Sequence, residues 1–392
     1  MGRLDTCLEF WHEQSFAMDF KPRLMKAASM VFALLTTLFL MGHQIIHTAH
    51  AGSGVPPESP EVMADHRVTF RLEAPHATSV KLRGIQRVPV DLEKDKKGVW
   101  STTVGPLPHG LYGYSFIVDG EAMLDPSNPQ MKPERDPETS LLEVVTNPPL
   151  FYQWQDVPHG TVRLHDYKSK ALSRLRRLRV YAPPGYDKSV ASYPVLYLFH
   201  GTGDTEATWT EFGRAHYILD NLLAKNKIVP MLVVMMDGHA DLADEEGIDP
   251  RNLDEFESDL LQSVIPLVDD TYRTLADRDH RAICGLSMGG IQSLSTGLRH
   301  VELFSWIGGM SAWVPNAEKR CSTAFSDPHL NEKVRLLWNQ MGAEDSYLPE
   351  YKEFETVLER HGVQRSFKLT EGNHSWPVWR EYLHDFTPLL FR

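Results

Sequence analysis

Residues 281–294 read RAICGLSMGGIQSL, an apolar run that passes through Gly285-Leu286-Ser287-Met288-Gly289 into a helical pattern. Small and permissive residues at this point would weaken an ordinary helix start. G-x-S-x-G is weak evidence alone, because glycine and serine are common. Its force comes from context: a strand before it and a helix after it, and both patterns are present. A sharp strand-to-helix turn holds the serine in strained backbone, and the flanking glycines let strand and helix approach. The Ser287 hydroxyl then stands above the sheet edge, beside a helix N-terminus that favours developing negative charge. Ser287 is therefore read as a nucleophile, in preference to a structural Gly-Ser turn.

A serine hydroxyl attacks poorly until a base takes its proton. Acid and histidine should follow the serine in chain order, each after a strand. VRLLWNQMGAEDSYLPEYKEFETVL (334–358) supplies strand, turn, acid and helix. SFKLTEGNHSWPVWREYLHDF (366–386) supplies strand, loop, His374 and helix. Asp345 is the expected acid, with adjacent Glu344 as its competitor. His361 lies at a helix end and His384 in the final helix, so both read as surface or packing residues.

The chemistry also needs an oxyanion hole. One donor should be the Met288 amide, directly after the nucleophile. The other should come from the loop in YLFHGTGDTEATW (197–209), where Thr202 is the choice and His200 reads as a packing residue. Trp376 and Trp379 flank His374, and Trp376 is a candidate to stack on an aromatic acyl group or a sugar ring.

Strands alternate with helical patterns from Thr161 onward. RRLRVYAPPGY, YPVLYLFHG, PMLVVMMDG and RAICGLS read as strands, while RAHYILDNLLAKN, FESDLLQSVIPLVDDTY and MGGIQSLSTGLRH read as helices. That alternation predicts a mostly parallel sheet covered by helices. Residues 62–147 follow a different grammar. VTFRLEA, SVKLRGI, GVWSTTV, LYGYSFIVDG and SLLEVV are short strands divided by turn residues, which predicts a small β-sandwich. Residues 148–160 form a connector rich in proline and aromatics, and 52–61 form a linker.

The chain of 392 residues is 42% hydrophobic and 23% charged, an ordinary globular balance. Its net charge of −12 argues against a nucleic-acid partner, which needs a basic face. The arginine run at 174–179 is accordingly expected on a solvated or ion-paired face. The acidic stretch DLADEEGIDPRNLDEFESD (241–259) lacks the glycine-centred spacing of a calcium loop and reads as a solvated loop. Beyond Cys7, only Cys284 and Cys321 remain. They form no disulfide framework or zinc pattern, and Cys284 reads as a small buried hydrophobe.

Residues 27–51 contain no Asp, Glu, Lys or Arg, and their core MVFALLTTLFLM ends at the A-x-A site Ala49-His50-Ala51. Residues 1–51 therefore read as a signal-peptide region, with Met25-Lys26 as a conventional start and cleavage after Ala51. A secreted or periplasmic product without a stable membrane anchor is expected. Uncleaved, the same segment would anchor the chain to a membrane.

LYLFHGTGDTEATWTEFGRAHYILDNLLA, RAICGLSMGG, GAEDSYLPEYKEF and GNHSWPVWREYLHDFTPLLF together resemble the esterase-D-like branch of the α/β-hydrolases. That branch holds feruloyl, acetyl-xylan and siderophore esterases and mycolyltransferases. The resemblance spans 161–392 and implies an α/β-hydrolase domain whose nucleophile, acid and base fall on Ser287, Asp345 and His374. Residues 62–147 resemble the early-set immunoglobulin-like modules that precede glycogen-branching enzymes and some esterases. In some relatives this module contacts glycan, and elsewhere it is only a spacer or a wall of the active site. The acidic loop after PMLVVMMDG departs from the family pattern and leaves the substrate open.

The expected protein is a secreted serine esterase acting on ester-decorated polysaccharide, of feruloyl or acetyl-xylan type. No metal or cofactor is required, since His374 takes the Ser287 proton and Asp345 orients the imidazole. The alternatives are a siderophore or other small-ester esterase, and a non-catalytic glycan-binding protein on a hydrolase scaffold.

Overall fold

The computed structural model describes residues 57–241 and 248–392. The leader read at 1–51 and part of the acidic loop lie outside the described residues. Among the described residues, no helix is long and apolar enough to cross a membrane.

The N-terminal part is a sandwich of antiparallel sheets. One sheet contains Glu61–Val62, Val68–Glu73, Val99–Val104 and Glu93–Lys94. The other contains Val90–Asp91, Val80–Arg83, Gly110–Val118 and Glu121–Met123, with Ser140–Val144 paired to the first half of Gly110–Val118. Alternation decides which side chains face inward. Val68, Phe70 and Leu72 from one sheet meet Val80, Leu82, Tyr114 and Phe116 from the other in a single apolar cluster.

The C-terminal part is built on eight strands: β1 (Thr161–Lys168), β2 (Leu175–Ala182), β3 (Val195–Phe199), β4 (Leu232–Met236), β5 (Arg281–Gly285), β6 (Trp306–Met310), β7 (Leu336–Gly342) and β8 (Ser366–Thr370). They lie in the order β1-β2-β4-β3-β5-β6-β7-β8. Strands β3 to β8 run parallel, and β1 and β2 are antiparallel at one edge. Every residue of β3, β4 and β5 is buried, which is why these strands are apolar runs apart from Arg281, which opens β5 and pairs with Asp269.

Helices cover both faces. Helix α1 (Ala215–Ala224) and α5 (Trp376–Phe386) pack on one, burying Ile218, Leu219, Leu222, Leu383 and Phe386. Helices α2 (Pro250–Asp259), α3 (Met288–Arg299) and α4 (Leu348–Arg360) pack on the other through Leu253, Phe256, Ile291, Leu294, Phe354 and Leu358. The fold is thus an α/β-hydrolase sheet preceded by a β-sandwich.

The acidic stretch is not wholly a loop. Its C-terminal half is α2, whose first turn is capped by the Asp249 carboxylate accepting from the Arg251 amide. The arginine run is ion-paired but only partly solvated. Arg177 meets Asp166 at the surface, whereas Arg176 is buried against Asp259 at 3.0 Å and donates to the carbonyl oxygens of Asp237 and His239. Strand alternation explains the difference, because Arg176 shares its face with Leu178 and Val180.

Candidate active site

The loops at the C-terminal ends of β3, β5, β7 and β8 carry Thr202, Ser287, Asp345 and His374. β3 and β5 are neighbours that the chain reaches in opposite directions, and crevices at such switch points collect ligand-binding residues.

Ser287 has φ 49° and ψ −121°, a positive-φ conformation that costs roughly 1–3 kcal/mol for a residue with a side chain. The surroundings impose it. The Leu286 amide donates to the Phe199 carbonyl and the Ser287 amide to the Met310 carbonyl, which pins the turn to both neighbouring strands. Close approach explains the glycines. A Cβ on Gly285 would sit 2.5 Å from the Gly289 backbone, and one on Gly289 would strike the His200 carbonyl and lie 2.7 Å from the Phe199 carbonyl carbon. Gly289→Ala is expected to destabilise the protein by about 1–3 kcal/mol, the usual cost of overpacking. A wild-type urea midpoint for that variant would show instead that the backbone can part freely here.

His374 Nε2 lies 2.9 Å from Ser287 Oγ, and His374 Nδ1 lies 2.8 Å from Asp345 Oδ2. The acid and histidine loops are stitched together: the Ala343 amide donates to the Thr370 carbonyl and the Glu344 amide to the Gly372 carbonyl. Gly342 permits this, since a Cβ there would collide with the Gly372 carbonyl. Asp345 is buried and Glu344 exposed, so only Asp345 reaches the imidazole. Burial alone would raise the Asp345 pKa. Hydrogen bonds from His374, the Tyr347 amide and the Ser311 hydroxyl outweigh that effect and hold it below the ordinary carboxylate range.

Sequence reading missed part of this support. Ser311, at φ 54° just after β6, accepts a hydrogen bond from Trp379 Nε1 at 3.0 Å and hydrogen-bonds Asp345. Tyr347 and Trp379 pack edge-on against the His374 ring at 5.0 and 4.9 Å. These contacts limit the ring's rotation.

Met288 opens α3 directly behind the nucleophile. Thr202 lies in the turn Gly201–Asp204, closed by the Asp204 amide donating to the Gly201 carbonyl, with Gly203 at φ +78°. The Gly203 amide donates to His239 Nε2, so it is committed elsewhere. His200 is fully buried: its Nδ1 bonds the Gly201 carbonyl, and its Nε2 accepts from the Gly238 amide. It packs, as its position implied, and it also supports the turn. Trp376 is mostly buried, edge-on to Trp209, Phe212 and Trp379, and presents one part as a wall rather than a free platform. His361 pairs with Glu318 and His384 packs on Phe151, both remote from Ser287 in their contacts.

Ser287, His374 and Thr202 open into a cavity of ≈730 Å³. The α/β part supplies Leu286, Trp313, Tyr347 and Trp376, and Ile248 just before α2 brings the acidic stretch to its edge. The sandwich side supplies Leu111, Tyr112, Gly113 and Lys132. The N-terminal part therefore forms one wall of the cavity and is more than a spacer.

Residues 169–390 match the family described as "Putative esterase". An endo-1,4-beta-xylanase/feruloyl esterase of Xylanibacter ruminicola is 33% identical over 345 residues, covering 86% of this chain and 46% of that protein. The chain thus spans less than half the length of that relative. A solved ferulic acid esterase superposes with TM-score 0.53 at 27% identity, over 59% of this chain and 97% of the other. The enterobactin esterase of Shigella flexneri shares the fold with TM-score 0.60 at 20% identity, over 86% of this chain and 96% of the other. That share exceeds the α/β part alone, so the likeness takes in the sandwich. The family match takes in more than half of the chain, and the chain belongs to this esterase family.

Proposed function

We propose that the chain is a secreted serine esterase that removes aromatic acyl groups, of the hydroxycinnamoyl kind, from ester-decorated plant polysaccharide. The observation carrying this reading is the Asp345–His374–Ser287 relay opening onto a cavity walled by Trp313, Tyr347 and Trp376.

His374 Nε2 takes the Ser287 proton as Oγ attacks the ester carbonyl. Asp345 keeps the proton on Nδ1 and stabilises the imidazolium that forms. The tetrahedral oxyanion is received by the Met288 and Thr202 amides, helped by the N-terminus of α3. His374 then protonates the departing sugar oxygen. Water, activated by the same imidazole, releases the acid from the acyl-enzyme.

The flat aromatic walls suit a planar acyl group, with the sugar alcohol towards Tyr112 and the sandwich. Acetyl-xylan would leave much of the cavity unfilled. The siderophore reading draws support from the fold shared with the enterobactin esterase across the sandwich. Against it, Lys132, the lysine lining the cavity, is already held by Asp204 and Glu134, which leaves its charge poorly placed to receive an anionic catecholate. Secretion rests on the leader pattern at 27–51. A non-catalytic glycan-binder would have no use for the aligned relay.

The test compares release of ferulate, acetate and catecholate acids from matched esters. Feruloyl arabinose esters are expected to show kcat/KM at least about tenfold above the others, the scale set by filling an apolar pocket. Preference for acetyl or catecholate esters would sink the substrate assignment, and no turnover of p-nitrophenyl acetate would favour the glycan-binder.

A further inference from the structure

The turn that carries Thr202 is held from two sides. On the α/β side, His200 and His239 bind its Gly201 carbonyl and Gly203 amide. On the other side it meets a strap from the sandwich, residues 130–135. The strap begins as an extra strand: the Lys132 amide donates to the Thr139 carbonyl, the Leu141 amide donates to the Gln130 carbonyl, and Met131 pairs with Ser140. It then leaves the sandwich and pairs with the turn, Glu134 opposite Asp204, with the Arg135 amide donating to the Gly203 carbonyl at 2.8 Å. The Thr208 hydroxyl donates to the Pro133 carbonyl at 2.5 Å and fixes the strap's middle.

Lys132 closes this arrangement. Its ammonium lies 2.9 Å from Asp204 Oδ1 and 2.8 Å from Glu134 Oε1. The three side chains are only 15%, 4% and 20% exposed, so little water screens them. The ammonium also lies 5.6 Å from the centre of the Phe212 ring. Burial raises the Asp204 carboxyl above its ordinary range even with this partner. Without Lys132, Asp204 would be left as a buried acid beside the amides that must receive an oxyanion.

We propose that Lys132 is a positioning residue: by pairing with Asp204 it makes the sandwich strap clamp the Gly201–Asp204 turn, setting the Thr202 amide for the oxyanion. The sandwich thereby acts on the chemical step as well as on the cavity's shape. The proposal rests on the esterase reading above. It differs from a substrate-binding role for Lys132 in its kinetic signature, because an oxyanion donor acts in the transition state and a substrate contact acts on KM.

The experiment measures kcat and KM on p-nitrophenyl acetate and methyl ferulate for Lys132→Met, Lys132→Gln and Lys132→Arg, each checked by thermal melting. Lys132→Met or Lys132→Gln, whichever melts as a folded protein, should lose about 10–100-fold in kcat with KM within about threefold, somewhat less than removal of a whole donor. Lys132→Arg, which keeps the ion pair, should recover kcat to within about threefold of wild type. Unchanged kcat, or a loss confined to KM, overturns the clamp. So does failure of both neutral variants to fold, since Lys132 would then serve stability alone. Ser287→Ala separates the two readings: if it silences turnover while neutral Lys132 variants stay fully active, only the clamp fails. If Ser287→Ala remains active, the esterase reading fails as well.

Discussion

Alanine at position 287 is expected to lower kcat by about 10⁴–10⁶-fold while leaving KM within a few-fold. The alanine variant leaves in place the backbone hydrogen bonds to the Phe199 and Met310 carbonyls that impose positive φ on this turn, and its Cβ adds no strain that serine lacks. Stability should be nearly unchanged, and the loss should report chemistry alone. The cavity walls, the Thr202 turn and the start of α3 also remain, so the residual rate is what binding and oxyanion stabilisation supply without a nucleophile. The measurement is single-substrate kinetics on methyl ferulate, paired with labelling by a fluorophosphonate. Wild type should bind the label covalently at Ser287, and the variant should not bind it at all. Turnover within tenfold of wild type, or full labelling of the variant, would remove Ser287 from the mechanism.

How much of this was legible beforehand depends on the range of each interaction. The strand-to-helix turn is local, and Gly285, Ser287 and Gly289 announce it because the neighbouring backbones leave no room for larger residues. Asp345 and His374 are distant in sequence, yet each follows a strand in the expected order, so chain order stood in for geometry. Strand β6 went unread. Its WIGGM contains two glycines that weaken any strand pattern. They are there because a Cβ on Gly308 would sit 2.7 Å from Cys284 Sγ and Phe386 Cζ. With β6 unread, Ser311 at its end could not be placed beside Asp345. Lys132 and Asp204 lie in different parts of the chain, and neither periodicity nor spacing links them. Only the pairing of the strap with the turn brings them within 2.9 Å.

Asparagine at position 345 is expected to cost on the order of 10⁴-fold in kcat, whereas Glu344→Gln should stay within about twofold. Adjacent acids make this a sharp comparison, because their environments differ in every respect that matters to the imidazole. Asp345 is buried and accepts from His374 Nδ1–H at 2.8 Å, which leaves Nε2 unprotonated and facing Ser287 Oγ. An asparagine amide can donate to Nδ1, stabilising the opposite tautomer with a proton already on Nε2, which cannot then act as base. Glu344 is exposed, and its backbone amide is one of the two that join the loops; a glutamine keeps that bond. The pH profile adds a second readout. A carboxyl held below its ordinary range keeps its charge until pH falls through the depressed value, so Asp345 remains ionised throughout the neutral range. Asp345→Asn should therefore lower the whole kcat–pH profile across that range. An Asp345→Asn profile that matches wild type anywhere in that range would overturn the orienting role. A 10⁴-fold loss in Glu344→Gln, with Asp345→Asn active, would exchange the two roles.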